Sequence, residues 1–204
     1  MRLSFSARRR GAFISLWLSA LWLSVGVIST RLDTLPSATA QTLGADRPFL
    51  QADLGLSILG EAGQRDHLAR SFAIGVRGGA RWGRWGLFGQ IEPAYWRVAK
   101  TDGTQELQGT VNLGVGGEVL SGGGLVRTAL SVGPSILTRA GELDQPGSVG
   151  FFFDLRPVGL RWLIAERFVI GFDPISLSMM VPVLEGIPLI ELEYRTTVIG
   201  EYVF

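Results

Sequence analysis

The sequence predicts an all-β protein: an eight-stranded antiparallel up-and-down transmembrane β-barrel with a cleaved signal peptide. Three observations support this prediction. Apolar and polar residues alternate with a period of two along eight segments, which is the period of a β-strand. The connections between these segments alternate between longer and very short ones. The first forty residues have the composition of an export signal.

The N-terminal residues divide into the parts that a secretory signal peptide requires. Basic residues at positions 8–10 precede an uncharged stretch over 11–30, and Ala38 and Ala40 are small residues of the kind that a signal peptidase recognises. An uncleaved anchor is the alternative, since about 20 apolar residues can span a bilayer. We expect cleavage after Ala40, which divides the chain into a signal peptide over 1–40, a short N-terminal segment over 41–48 and a barrel over 49–204.

Composition excludes several classes of function. The chain has no cysteine, so it can form neither disulfides nor thiolate metal sites. It has 19 Lys and Arg against 18 Asp and Glu, and residues 1–40 hold five of the basic and one of the acidic residues. The remainder therefore has 14 basic and 17 acidic residues, a formal charge of −3. A slightly acidic protein of this kind is not expected to bind nucleic acid.

Eight segments between residues 50 and 204 carry the strand pattern. The seventh changes phase at Asp173-Pro174, which predicts a β-bulge marked by the proline. The positions that share the apolar face are, strand by strand, Leu50, Ala52, Leu54, Leu56 and Ile58; Phe72, Ile74 and Val76; Leu87, Ile91 and Tyr95; Leu107, Val111, Leu113, Val115 and Val119; Val126, Leu130, Val132 and Ile136; Phe151, Phe153 and Leu155; Phe168, Ile170, Phe172, Ile175, Leu177, Met179 and Val181; and Ile190, Leu192, Tyr194, Val198, Tyr202 and Phe204.

The connections between the segments predict how the strands are joined. The longer ones cover residues 61–69, 100–105, 138–147 and 182–187, and the short ones cover 82–85, 121–124 and 164–167. Transmembrane barrels have short periplasmic turns and longer extracellular loops. An even number of strands then places both chain ends on the side of the short turns.

The strand pattern alone does not show which face points outward, and a soluble barrel of the lipocalin type also has eight strands. Strand length favours the membrane, since several segments exceed the roughly 9–11 residues of a tilted span. So do the aromatic residues near the strand ends expected to be periplasmic, namely Phe49, Trp82, Trp85, Trp162, Tyr202 and Phe204.

The polar faces carry charges of both signs, which suits a closed interior. The lumen of eight strands is only wide enough for side chains, and buried charges need partners, so we expect ion pairs there. The predicted lumen charges are Arg77, Glu92, Glu118, Arg127, Asp154, Arg156, Glu191, Glu193, Arg195 and Glu201.

With these features, residues 45–204 resemble the small outer-membrane barrels of Gram-negative bacteria of the OmpA and OmpX type. In that family the last strand is recognised by the barrel-assembly machinery, and Phe204, Tyr202, Val198 and Tyr194 match the pattern, with Gly200 a weak position in it. The resemblance implies an outer-membrane location and contacts with outer-membrane lipid and lipopolysaccharide. It leaves the oligomeric state open.

The sequence shows no complete motif for catalysis, cofactor binding or metal binding. His67 is the only histidine; lipid A deacylases, which are also eight-stranded barrels, need a serine two residues later, where this chain has Ala69, and Ser71 is four residues on. The glycines of residues 114–117 lie within a strand and are expected to permit close packing. Glu191 and Glu193 could act as an acid–base pair, but ion pairing with lumen arginines is the expected role.

The sequence thus predicts a structural or anchoring barrel without catalytic activity, cofactor or metal. Three alternatives remain: a narrow channel, a lipid-modifying enzyme of the outer membrane, and a soluble periplasmic barrel that binds an apolar ligand in its lumen.

Overall fold

The computed structural model of the chain describes residues 46–61, 68–99, 105–139, 147–184 and 189–204. These residues form one closed sheet in which each strand pairs antiparallel with its sequence neighbours and the last strand pairs with the first. The predicted eight-stranded antiparallel barrel is confirmed. Its strands are β1 (Pro48–Glu61), β2 (Leu68–Trp82), β3 (Trp85–Ala99), β4 (Gln105–Ser121), β5 (Val126–Arg139), β6 (Val149–Ala165), β7 (Phe168–Val183) and β8 (Leu189–Val203).

Three tight connections lie at the end of the barrel where β1 begins and β8 ends, which we call the short-turn end. Gly83 turns the chain between β2 and β3 with a φ of 57°, and Gly122–Gly124 have φ values from 57° to 90° between β4 and β5. Residues with a β-carbon rarely adopt such positive φ angles, so glycine is required at these turns. We call the opposite end the long-connection end.

Closure of the barrel uses the whole length of the terminal strand. The pairing of β1 with β8 runs from Phe49 opposite Val203 to Glu61 opposite Glu191. The Phe204 amide also donates to the Pro48 carbonyl at 3.0 Å, so the last residue is held against the first strand. Neither strand is left with an unpaired edge along this boundary, and such edges are the part of a sheet most prone to aggregate.

The polarity of the barrel wall is the reverse of that in a soluble protein. Among the described residues, 24 polar or charged side chains are buried against 15 hydrophobic ones. The outer surface exposes 31 large hydrophobic side chains, drawn from all eight strands. The apolar faces predicted from the sequence therefore point outward and the charged faces point inward.

Two strands change phase at neighbouring bulges. In β7 the inward face passes from Asp173 to Ser176, as the sequence predicted at Asp173-Pro174. In β6 it passes from Arg156 to Gly159 beside Pro157, and the register with β7 shifts at the same level. The freed carbonyls still have donors at these bulges, because Thr128 bonds to the Pro157 carbonyl and Tyr194 to that of Pro174, both at 2.8 Å.

Glycines in β4 make room for aromatic side chains inside the barrel. A β-carbon at Gly114 would lie 2.5 Å from Cζ of Phe152, and one at Gly116 would lie 2.5 Å from Cζ of Phe88. Both rings are almost completely buried. The role predicted for this glycine segment, close packing within a strand, thus takes the form of two sites where aromatic rings approach the backbone.

One aromatic residue was placed wrongly from the sequence. Phe49 was expected at the membrane interface, but it is buried inside the barrel against Phe88 and Ala129. It shares the inward face of β1 with Gln51, and the Arg81 guanidinium lies 3.8 Å above its ring. Trp82, Trp85, Trp162 and Phe204 are exposed as expected, and Tyr202 is partly exposed. No helix among the described residues is long and apolar enough to cross a membrane.

Candidate functional site in the barrel lumen

The interior of the barrel is the most unusual chemical environment of the molecule. The described strands bury six arginines and eight carboxylates, a formal charge of −2. All six buried cations are arginine, whose planar guanidinium can bond several carboxylates at once. The buried charges are Arg77, Arg81, Arg127, Arg156, Arg161 and Arg195, with Asp53, Glu92, Glu118, Asp154, Asp173, Glu191, Glu193 and Glu201.

Arg156 of β6 is the centre of the larger group of charges. Its guanidinium joins four carboxylates from four strands, so it ties β6 to strands on three other sides of the barrel. The distances from its nitrogens are 2.6 Å to Asp53, 3.0 Å to Asp173, 3.1 Å to Asp154 and 3.5 Å to Glu92.

Asp154 is the carboxylate of this group that is shared by three arginines. Its carboxylate lies 3.1 Å from Arg77, 3.1 Å from Arg156 and 2.5 Å from Arg195. The Ser176 hydroxyl donates a further hydrogen bond to it at 2.9 Å. Arg195 also pairs with Glu92. We call Asp53, Arg77, Glu92, Asp154, Arg156, Asp173 and Arg195 the central network.

A second group of four charges lies nearer the short-turn end, and we call it the short-turn cluster. Arg81 binds Glu201 through both terminal nitrogens at 2.7 Å, and its Nε lies 2.5 Å from Glu118. Arg161 approaches Glu201 at 2.5 Å and donates to the Gly124 carbonyl at 3.3 Å. Two arginines thus share one carboxylate, which reduces the repulsion between them.

Arg127 connects the two groups. Its guanidinium lies 2.7 Å from Asp173 in the central network and 3.8 Å from Glu118 in the short-turn cluster. It also donates to the side-chain oxygen of Gln51. The charges therefore form one chain of contacts along the barrel axis.

Toward the long-connection end the lumen holds apolar side chains beside polar ones, with Glu191 opposite Met180 and Glu193 opposite Leu59. Five buried apolar side chains form a packed cluster there: Leu59, Ala94, Trp96, Phe152 and Met180, with Ala69 packed against them. The Asn112 amide donates to the sulfur of Met180 at 3.1 Å.

All ten lumen charges named from the sequence lie on inward faces and are buried. Glu193 reaches Arg195 at 3.7 Å. Four buried charges were missed: Asp53, Arg81, Arg161 and Asp173. Arg81 could have been inferred, since it lies four residues from Arg77 on the same strand face. Asp173 could also have been inferred, since it follows the outward Phe172, whereas Arg161 faces inward only because of the bulge in β6, whose exact effect on phase the alternation does not reveal.

Some of the residues that the sequence singles out for catalysis or cleavage lie outside the described ranges. His67 lies outside those ranges, as do Ala38 and Ala40. Ser71 lies within them, and its hydroxyl donates to the Tyr95 carbonyl. No group of three His, Cys, Asp or Glu residues in the described part of the chain could hold a metal ion.

The residues of the expected assembly signal lie on the outer face of β8. Tyr194, Val198 and Phe204 are exposed, and Tyr202 packs edge-to-face between Phe168 and Phe204 at centroid distances of 5.0 and 4.9 Å. The Arg167 guanidinium lies 3.3 Å from the Tyr202 hydroxyl. This end of the strand therefore presents a continuous aromatic surface.

These features define the class to which the chain belongs by structure: small closed eight-stranded antiparallel barrels with a charged interior. Among solved structures, the barrel is similar to that of Neisserial surface protein A (NspA), with a TM-score of 0.52 and 10% identity over 77% of this chain and 97% of that chain. It is also similar to Ail, the attachment invasion locus protein of Yersinia pestis, with a TM-score of 0.48 and 13% identity over 78% of this chain and 100% of that one.

The likeness to NspA establishes a shared fold. It agrees with the eight-stranded outer-membrane architecture that the sequence resembles. The sequence matches no family model and no curated protein.

Proposed function

We propose that the chain is an integral outer-membrane β-barrel of a Gram-negative bacterium with a structural or anchoring role. The observation that carries this proposal is the reversed polarity of the barrel wall, apolar outside and ion-paired inside. Soluble monomers rarely expose contiguous apolar patches larger than a few hundred Å². A barrel in lipid needs an outward apolar band and satisfies all backbone groups between its strands.

Strand length supports the same conclusion. The eight strands have 14 to 17 residues each, and a tilted strand needs about 9–11 to cross the hydrocarbon core. The exposed Trp82, Trp85 and Trp162 lie near the short-turn end, where tryptophan suits the boundary between lipid and water. A soluble barrel with an apolar ligand in its lumen would require the opposite distribution of polar residues.

In this proposal residues 1–40 direct export and are removed after Ala40. The terminal strand, through Phe204, Tyr202, Val198 and Tyr194, is recognised by the barrel-assembly machinery. The short-turn end is periplasmic, and the exposed surface contacts outer-membrane lipid and lipopolysaccharide. The barrel has no catalytic role, since the lumen charges are used to neutralise one another.

A narrow channel is the second candidate, and the continuous line of charges favours it. Ions could pass if Arg127 and its partners rearranged, because these contacts connect the two charged groups along the axis. Single-channel recording in planar bilayers tests this candidate. Discrete conductance steps that change in the Arg127→Leu variant would support a channel, and a silent bilayer would support the anchoring role.

Gel mobility and cell fractionation test the membrane proposal itself. A closed transmembrane barrel resists SDS in the cold and migrates differently after boiling. We expect a heat-dependent shift and recovery of the mature chain in the outer-membrane fraction. A chain that is released in soluble form from the periplasm and shows no shift would contradict the proposal.

A further inference from the structure

The exposed charges of the barrel wall are few and all of one sign. Among the strand residues whose side chains the structure describes, the exposed charged ones are Arg70 of β2, Arg97 of β3 and Arg139 of β5. All three lie near the long-connection end, where β2 begins and where β3 and β5 end. The same set of strand side chains includes no exposed carboxylate. The wall thus carries a group of three cations at one end, which we call the arginine rim.

Arg70 and Arg97 lie at the same level on neighbouring strands. Val76 of β2 pairs with Ile91 of β3, and each arginine lies six residues further along its strand toward the long-connection end. The even spacing places both arginines on the same outward face as the exposed Val76 and Ile91. Two like charges opposite each other are destabilising. An anion that binds both guanidiniums would remove this repulsion.

The arginine rim runs across four neighbouring strands. The Ser71 hydroxyl of β2 donates to the Tyr95 carbonyl of β3, so these two strands are still adjacent near the rim. Gly109 of β4 pairs with Tyr95 on one side and with Arg139 on the other. The Tyr95 ring occupies the space that a side chain at Gly109 would need. Neighbouring strands are about 4.8 Å apart, so the backbones of Tyr95 and Arg139 are separated by about 10 Å.

The rim lies one hydrocarbon thickness away from the tryptophans of the short-turn end. Trp82 pairs with Trp85 at that end. Arg70 lies twelve residues before Trp82 in β2, and Arg97 lies twelve residues after Trp85 in β3. A strand that rises about 3.3 Å per residue with a tilt of about 35–45° climbs about 30 Å over this length, and the hydrocarbon core of a bilayer is about 30 Å thick. With the tryptophans at one interface, the arginines reach the headgroup layer of the other.

We propose that the arginine rim binds the phosphate groups of lipopolysaccharide in the outer leaflet. This inference rests on the proposed outer-membrane location, with the long-connection end outside. A guanidinium can donate two parallel hydrogen bonds to one phosphate. Three guanidiniums spread over four strands match a headgroup that carries more than one phosphate. A phospholipid with a single phosphate meets only part of the rim, so the spacing favours lipopolysaccharide.

Native mass spectrometry of the full chain, purified in detergent, tests this site. The protein is titrated separately with diphosphoryl lipid A, monophosphoryl lipid A and phosphatidylglycerol, and each titration gives an apparent Kd. The test variant is Arg70→Gln combined with Arg97→Gln. The matched control is Arg47→Gln combined with Arg84→Gln, because these two arginines are also exposed but lie at the short-turn end.

We expect the unaltered chain to bind diphosphoryl lipid A more tightly than either lipid with one phosphate. The test variant should lose about tenfold in affinity for diphosphoryl lipid A, since two charge-assisted contacts are removed, and the control should retain the affinity. Equal affinities of the test and control variants would overturn the proposal, and arginines that paired only with their own chain would give that result. Arg139→Gln should also weaken the binding of diphosphoryl lipid A, and unchanged binding would count against the match to two phosphates.

The heat-dependent gel shift of the same preparations separates this result from the membrane proposal. The test variant should keep the shift, which shows that its loss of affinity does not come from loss of the barrel. A shift in all variants together with equal affinities would reject the lipopolysaccharide site and leave the membrane location intact. A chain that shows no shift and stays soluble without detergent would reject both.

Discussion

Arg156 shows why the interior of this barrel depends on arginine. A guanidinium carries five donors in a fixed plane, so Arg156 can join carboxylates of β1, β3, β6 and β7 at once. A buried charge without a partner is very costly, and the same charge in a satisfied network is tolerated. Each lumen residue therefore depends on its neighbours, and the removal of one leaves others uncompensated.

Glu201→Gln should strongly destabilise the barrel. Glu201 is shared by Arg81 and Arg161, and loss of its charge leaves two buried cations with reduced compensation. We expect the free energy of unfolding to fall by about 3–5 kcal/mol, measured by urea titration of the barrel in lipid vesicles. Glu166→Gln is the matched control, since Glu166 is exposed in the turn after β6 and should change stability by no more than about 0.5 kcal/mol. Equal effects would contradict the proposed sharing.

Gly116→Ala and Gly117→Ala should differ in their effect on the stability of the barrel, although the two residues are adjacent. A β-carbon at Gly116 would lie 2.5 Å from both the Leu130 carbonyl oxygen and the Phe88 ring, whereas one at Gly117 would meet no atom closer than 3.7 Å. Overpacking of this kind costs about 1–3 kcal/mol, so only Gly116→Ala should lower the urea midpoint clearly. The same midpoint for both variants would contradict the close packing at Gly116, since both Phe88 and the backbone at Leu130 would then have moved away without cost.

At the scale of the strand, β8 combines two roles on its two faces. Its inward face places Glu193, Arg195 and Glu201 in the lumen. Its outward face carries the aromatic surface at the short-turn end. Period-two alternation makes this possible, because neighbouring residues point to opposite faces. The strand also closes the sheet against β1 along its length.

Phe204→Asp should reduce assembly in the outer membrane. Phe204 ends the aromatic surface that we propose as the assembly signal, and a carboxylate there removes an apolar terminal residue. We expect less of the heat-modifiable form in the outer-membrane fraction than for the unaltered chain. Phe168→Asp is the control, because Phe168 also contacts Tyr202 but is not at the chain end. Normal assembly of Phe204→Asp, or an equal loss for Phe168→Asp, would reject the terminal signal.

At the scale of the whole molecule, the fold separates two environments. The apolar outer wall suits the apolar surroundings of the proposed membrane, and the ion-paired lumen is separated from them by the sheet. Neither requirement could be met by a strand in isolation. The closed sheet meets both, since closure leaves no edge and gives every strand one inner and one outer face.

The position of an added arginine on the outer wall should determine how far it lowers the free energy of unfolding. Leu113 is an exposed residue in the middle of β4, and Ile164 is exposed near the short-turn end of β6. If the barrel spans a bilayer, Leu113→Arg should destabilise it by about 2–4 kcal/mol and Ile164→Arg by no more than about 1 kcal/mol. Urea titration in vesicles measures both. A negligible cost at Leu113 would place that face in water.

Much of the architecture could be predicted from local patterns. Alternation in β8 separates Glu191, Glu193 and Arg195 from Leu192 and Tyr194, and the structure places these two sets on opposite faces. The bulge at Asp173-Pro174 was visible because proline marks a change of phase. Local patterns suffice here because the direction of a side chain in a strand depends only on its position along that strand.

Local patterns along the chain predict the number of strands, their two faces and the ends at which they turn. Closure of the sheet determines which charges meet, because Arg156 joins residues from positions 53 to 173 that are distant in the sequence. It also decided that Phe49 is internal and that Arg161 enters the lumen after a bulge. Pairing across a sheet depends on register between distant segments, and alternation within one segment carries no information about that register.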